Sequence, residues 1–379
     1  LQLYYKRMIN EYLFSVSLAT NHFKTDYKDR DDTPVDDLRD NTNYRDHSYM
    51  ARAQLQRFFN DGDNIIIGSE ISLDQSRSNV LRNIYEQPEQ KTSAGFAKYR
   101  MQLRDNLILD MGMRYDYRDV TGGEGYSIKS FQAFSPKISL IHDMNSSLIT
   151  YLSYNKGFRA PSISELFLEY ESSYGLLLQG NPTLKPESLN SIESGFKLQK
   201  EGVSYFGNVF FNQYSDMIDF IYTIPVRSVN RATVKGIGAE LGSNFYIDKT
   251  KSNFNFTYSY LNLNEASDAP MLYRPKHKIR FTWVQQFSLL DFRLSTRYVS
   301  KQLYEDFLSD THPIDGNTVI FPLETLPETF ISDFSITKTF TDYDVSIKVK
   351  NLFDNNYVLI QHYPMPGRNF EMSITKSIK

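Results

Sequence analysis

Cysteine is absent from the 379 residues, which excludes disulfide frameworks, thiolate metal sites and cysteine nucleophiles. Also missing is any uninterrupted apolar run of about 18 residues, so no transmembrane helix can form. The first residues lack the charged and apolar regions of a signal peptide. Lys and Arg number 42 against 45 Asp and Glu, a formal net charge of −3, and the two signs are interspersed along the chain. No basic face results, which argues against a nucleic-acid partner. There is no Ser-centred nucleophile elbow, no glycine-rich phosphate loop and no His-Glu metal motif. The chain therefore does not read as an enzyme, and no cofactor is implied.

What the chain has in abundance is aromatic side chains: 27 Tyr, 27 Phe and one Trp make up 15% of it, although mean hydropathy is negative. Nothing in the composition marks a division into two domains, so one large architecture is the economical reading. The dominant pattern has period two. Leu107, Leu109, Met111, Met113, Tyr115 and Tyr117 alternate with Asp110, Gly112, Arg114 and Asp116, so one face could meet lipid and the other water. The same alternation runs through Phe254, Phe256, Tyr258 and Tyr260, through Ile279, Phe281 and Trp283, and through Phe292, Leu294, Thr296 and Tyr298.

A soluble sandwich also alternates, and connection lengths separate the two. Strands are expected near 1–7, 10–20, 47–59, 64–74, 92–103, 106–117, 130–142, 147–156, 189–199, 203–213, 235–247, 252–264, 276–288, 290–300, 329–341, 343–351 and 369–378. Short turns such as 60–63, 143–146 and 200–202 alternate with long polar loops near 21–46, 75–91, 157–188, 214–234, 301–328 and 352–368. Tight turns at one end and long loops at the other characterise outer-membrane barrels. The expected fold is all-β, a transmembrane antiparallel barrel with about 17 strands in this chain. A single-chain bacterial barrel closes with an even number, because an open edge in lipid strands backbone groups at several kcal/mol each. Further strands at the N-terminal side are therefore expected.

The segment Tyr154-Asn155-Lys156-Gly157-Phe158-Arg159-Ala160-Pro161, followed by Gly180-Asn181-Pro182-Thr183-Leu184-Lys185-Pro186-Glu187, resembles the paired boxes of TonB-dependent outer-membrane receptors. Asn230 through Lys235-Gly236-Ile237-Gly238-Ala239-Glu240 is similar to that family's glycine-rich strand. Asn351-Leu352-Phe353-Asp354-Asn355-Asn356-Tyr357 and Tyr363-Pro364-Met365-Pro366-Gly367-Arg368-Asn369-Phe370 are similar to its last loop and terminal strand. The motifs span about residues 150–379, and the earlier part matches in pattern only. One departure is the end: Ile378-Lys379 stands where the family usually finishes on an aromatic residue.

The resemblance implies a plugged barrel of about 22 strands, so that residues 1–7 would be the sixth, with about five strands and the plug missing. It implies import of a scarce metal chelate, namely a ferric siderophore, haem or cobalamin, driven by the TonB complex. That complex engages a short segment of the missing N-terminal part by strand addition. Outer-membrane lipid is a partner of any such barrel, and a surface lipoprotein remains open.

In haem receptors sharing these boxes, a histidine between them ligates iron; here the interval holds Tyr170 and Tyr174 instead. Tyrosine can ligate ferric haem, but in a Tyr-rich barrel it more often packs at an interface. His312 and His362 fall in the last two long loops, with Tyr363 and Met365 beside the latter. His22 and His47 flank the first complete loop, and isolated loop histidines are usually solvated. The box residues Phe158, Arg159, Ala160, Pro161, Asn181, Pro182, Leu184, Pro186 and Glu187 read as structural, with Arg159 or Glu187 pairing with neighbouring charges. Arg114, Glu240, Arg280, Arg293 and Arg297, like Asp110 and Asp116, fall on expected lumen faces. The acidic stretch from Asp26 to Asp46 lacks EF-hand spacing and reads as a surface loop. A passive porin, a surface capture protein or adhesin, and more remotely a soluble all-β enzyme are the rival functions.

Overall fold

A computed structural model of the protein describes residues 1–28, 41–59, 62–81, 87–122, 128–171, 177–221, 225–267, 271–306, 314–315, 318–319 and 321–376. One nineteen-stranded sheet dominates. Two of its strands, Glu169–Glu171 and Leu177–Gln179, are short elements within a loop. The other seventeen form an antiparallel meander, each paired with the next from Gln2–Ile9 to Asn369–Lys376, and each coincides with one of the expected strands.

Registers sort the residues by face. The row Leu241, Tyr258, Ile279, Tyr298, Phe330 crosses five strands, and Phe254 stacks on Trp283 at 6.3 Å near the short-turn end. These belong to the apolar outer face, flanked by aromatic side chains at both levels where a bilayer meets water. The inner face is polar. Gly238 and Gly242 lie on it opposite Phe210 and Phe206, whose rings occupy the space a Cβ would need. The glycine-rich strand thus gives neighbouring aromatics room to lie flat on the inner wall.

The strand bounds differ from the expected ones in a consistent direction. Tyr12–Lys28 and Asn41–Phe58 stay paired through Lys28 and Asn41, so the expected loop 21–46 shortens to 29–40. Likewise Val203–Ile221 and Val226–Ile247 remain paired to Ile221 and Arg227, with Asp216 in the left-handed conformation at φ 54°. The loop expected over 214–234 is therefore mostly a hairpin. Beyond the bilayer both faces of a strand meet water, so the hydrophobic alternation stops while backbone pairing continues. Tight reversals at the other end use Asn10, Gly62, Gly202 and Lys251 at positive φ. Gln2–Ile9 and Asn369–Lys376 each pair with one neighbour among the described residues.

Candidate functional site at the extracellular mouth

The chain's hydrophobic core lies at the long-loop end. Val120, Phe131, Ala160, Leu166, Phe167, Leu184 and Ile218 form one buried cluster, with Phe158 and Ile163 against it. The loop after Leu148–Arg159 folds onto the strand tops through the short helix Ile163–Phe167. Ser162 caps that helix, its hydroxyl accepting from the Glu165 amide at 3.2 Å while the Glu165 carboxylate accepts from the Ser162 amide at 2.8 Å. This reciprocal pair satisfies two otherwise orphaned donors.

Both boxes are built into this cap. The Arg159 guanidinium donates to Glu187 through Nε at 2.8 Å and Nη2 at 3.2 Å, and to Glu165 through Nη1 at 2.9 and 3.0 Å. Glu187 also accepts the Ile218 amide at 2.9 Å, so one carboxylate ties the loop exit to the next strand, Val203–Ile221. Asn181 donates to the Ser228 carbonyl at 3.0 Å, and Asn230 accepts from the Lys185 amide at 2.8 Å. Pro161 is fully buried and Leu184 nearly so. A Cβ on Gly180 would sit 2.6 Å from backbone atoms of Leu166, Phe167 and Leu168. Pro182 sits in a turn closed by the Leu184 amide on the Asn181 carbonyl at 3.2 Å, and Pro186 precedes the strand that starts at Glu187.

A second assembly involves the loop 300–328. Its hairpin, Gln302–Glu305 with Leu323–Leu326, closes one side of a cavity of about 750 Å³ lined by Arg274, Lys276, His277, Lys301, Glu265 and Tyr298, among others. Beside it, Arg231 donates to Asp219 at 2.7 Å and Glu265 at 2.6 Å. Burial pushes the Glu305 carboxyl above the usual carboxylate range; nearby Arg231 opposes that rise and Asp219 adds to it. His362 contacts Asp306 at 3.0 Å, which fastens the last loop to this one.

The structure separates the residues that sequence reasoning grouped as ligands. His362 sits in the left-handed conformation at φ 67° with Asp306 as a partner, whereas Tyr363 is exposed. Met365 lines a different cavity, of about 400 Å³, together with Arg297, Lys348, Lys350 and Tyr357. Tyr170 lies on the short strand pair of the cap. Tyr174 and His312 lie outside the described residues, as do Asp29, Asp31, Asp32, Asp36 and Asp37. Among the described residues no group of three His, Asp or Glu side chains could hold a metal ion. His22 and His47 are not isolated loop residues: they face each other across two strands, Nδ1 to Nδ1 at 2.5 Å.

Lower in the barrel, Arg114 bridges Glu70 at 3.0 Å and Asp116 at 2.8 Å, and Lys98 meets Asp110 at 3.0 Å. Glu240, Arg280 and Arg297 line a shared cavity of about 340 Å³, with Arg293 on the same inner face. Arg231, Asp219, Arg274 and Lys276 went unnoticed in the sequence. They carry no motif: the pairing of Val203–Ile221 with Val226–Ile247 brings Asp219 to Arg231, and the connection ahead of His277–Gln286 places Arg274 and Lys276 at the cavity.

A sheet with an apolar outer face, a charged inner face and a folded cap at its long-loop end defines an outer-membrane receptor barrel. The family described as TonB dependent receptor-like, beta-barrel matches residues 1–352, and the chain belongs to that family. Membership sets the protein in the bacterial outer membrane and among receptors rather than enzymes. Solved structures of the same fold include the copper transporter OprC, 14% identical with a TM-score of 0.78 over 98% of this chain and 64% of that one. The siderophore receptor PirA from Acinetobacter baumannii is 16% identical with a TM-score of 0.74, over 100% of this chain and 62% of that one. The FrpB iron transporter from Neisseria meningitidis is 14% identical with a TM-score of 0.75, over 98% and 63%. The chain thus spans less than two thirds of the length of each of these proteins.

Proposed function

We propose that this barrel is the wall and extracellular vestibule of an energised importer that takes up a metal chelate, namely a ferric siderophore, haem or cobalamin, using TonB. The observation that carries the reading is the cavity beneath the 302–326 hairpin, lined by Arg274, Lys276 and Lys301 together with Glu265 and Glu328, of which Glu265 is already paired with Arg231. The surplus of cations in a concave, loop-covered mouth attracts an anionic chelate and gives it a place to be enclosed. Family membership, and a copper transporter and a siderophore receptor among the structural neighbours, support import as the activity. The reading includes a plug and further wall strands elsewhere in the receptor. Its support is the family and the share of the solved receptors that this chain covers, 62–64% of their length.

The test is uptake and surface binding of labelled ferric siderophores, haem and cobalamin by cells expressing the native gene, with and without TonB. Specific uptake that stops without TonB is the expected result and names the ligand. Uptake independent of TonB would make the protein a passive channel, and binding without uptake would make it a capture protein.

A further inference from the structure

We propose that His22 and His47 form a binding site for a divalent transition-metal ion of the copper and zinc class, on the hairpin that rises above the bilayer. They stand directly opposite each other on Tyr12–Lys28 and Asn41–Phe58, a pairing that brings two Cβ atoms to roughly 5 Å. Phe14 and Leu18 on one strand, with Leu55 and Tyr49 on the other, share their face and end the outward apolar series just below them. His22 is exposed and His47 half-buried, so the pair is open to solutes from the medium. It shares no residue with the cavity beneath the 302–326 hairpin and is independent of the import reading.

The first observation is how the rings meet. The two Nδ1 atoms are 2.5 Å apart and the ring planes cross at 79°, so both nitrogen edges point at one place. Two neutral imidazoles presenting lone pairs there repel each other, and the contact needs a hydrogen or a metal ion between them. The His22 Nε2 lies 3.5 Å from the Thr20 hydroxyl. With Nε2–H donating to that hydroxyl, Nδ1 is left as the lone-pair nitrogen, which is what a ligating histidine needs. An ion bonded at about 2.0–2.1 Å to each nitrogen holds them about 3 Å apart, a separation the rings reach by a small side-chain rotation.

The second observation is the charge nearby, which selects the ion. One step further out on the same face stand Lys24, Arg45 and Arg77, directly opposite one another, with Asp26 on Lys24 at 2.7 Å. In the row of the histidines Gln75 is opposite His47 and Glu89 opposite Gln75, and Glu89 meets Lys91 at 2.6 Å. The surroundings are cationic, which disfavours Ca²⁺ or Mg²⁺, ions held by charged oxygen ligands. Cu²⁺ and Zn²⁺ bond neutral imidazole without needing a carboxylate, Cu²⁺ the more strongly. Among the described residues no third His, Asp or Glu completes a cluster here. The remaining coordination positions therefore go to water or an anion, which the neighbouring cations favour. Bound metal would clasp the two strands and fasten the extension in which 22–28 pairs with 41–47.

The measurement is a Cu²⁺ titration of the full-length receptor in detergent, stripped of metal beforehand with a chelator and followed by electron paramagnetic resonance. Heat-modifiable gel migration would check folding of each variant. The wild type should show a centre with two imidazole nitrogens, and His22→Gln and His47→Gln should each weaken it about tenfold or more. His142→Gln, at the short-turn end, should leave it unchanged. With free Cu²⁺ at about ten times its dissociation constant, the amides of 22–28 and 41–47 should exchange with deuterium about tenfold more slowly in the wild type. The variant carrying both substitutions should show no such slowing. Absence of a two-nitrogen centre in the folded wild type would overturn the proposal and leave a shared hydrogen alone between the rings. So would equal Cu²⁺ binding by the folded double variant.

Discussion

Replacing Arg159 by Ala tests whether the paired boxes hold the cap by electrostatics. In the protein the guanidinium makes four hydrogen bonds to Glu165 and Glu187, whose side chains are only 14% and 19% exposed. Removing it leaves two mostly buried carboxylates facing one another. Breaking a buried pair costs about 3–5 kcal/mol, but Arg159 is itself 42% exposed, and screening reduces this to about 2 kcal/mol. The loss should appear locally, because the wall strands do not depend on the cap. The amides of Leu166 and Leu168, bonded to the Ser162 and Ser164 carbonyls, should exchange with deuterium about thirtyfold faster, while wall amides keep their rates. Adding Glu187→Gln should recover part of the protection, since it removes one stranded charge and keeps an acceptor for the Ile218 amide. Unchanged exchange at Leu166 and Leu168 would refute the argument, as would a double variant no better protected than Arg159→Ala.

Gly180→Ala places a methyl group against the backbone of Leu166, Phe167 and Leu168, so the loop should detach at a cost of about 1–3 kcal/mol and become open to limited proteolysis within 160–186. Glu305 is held more readily protonated in the folded hairpin than in the free loop. Its charged form therefore opposes docking above the ordinary carboxylate range, and docking strengthens as pH falls through the raised value. Glu305→Gln should remove that pH dependence in a fluorescence or exchange probe of 302–326, and a persistent dependence would assign it to another group. Met113→Arg on the outer face at mid-strand should cost about 2–4 kcal/mol in denaturant unfolding from lipid vesicles. Thr257→Arg, on the inner face beside Glu240, should cost much less.

All seventeen wall strands could be read from the sequence because lipid on one side and water on the other impose a period of two on every crossing. The paired boxes and the connection lengths likewise pointed to the family and to the orientation. Harder to read were the strand extensions above the bilayer, as at Tyr214 to Ile221, where water on both faces erases the alternation but not the ladder. Ligand candidates chosen by residue type fared differently. His362, Tyr363 and Met365 are near neighbours in sequence, yet their backbone directs them to Asp306, to solvent and to an inner cavity.

The sequence by itself determined the crossing strands, their sidedness and the class of barrel, since these follow from local alternation and turn chemistry. Only the tertiary structure decided that Arg159 answers Glu187, that Arg231 answers Glu265, and that Lys24, Arg45 and Arg77 share one row. Those pairings join residues far apart in the chain, and they depend on inter-strand register, which is set by the whole sheet.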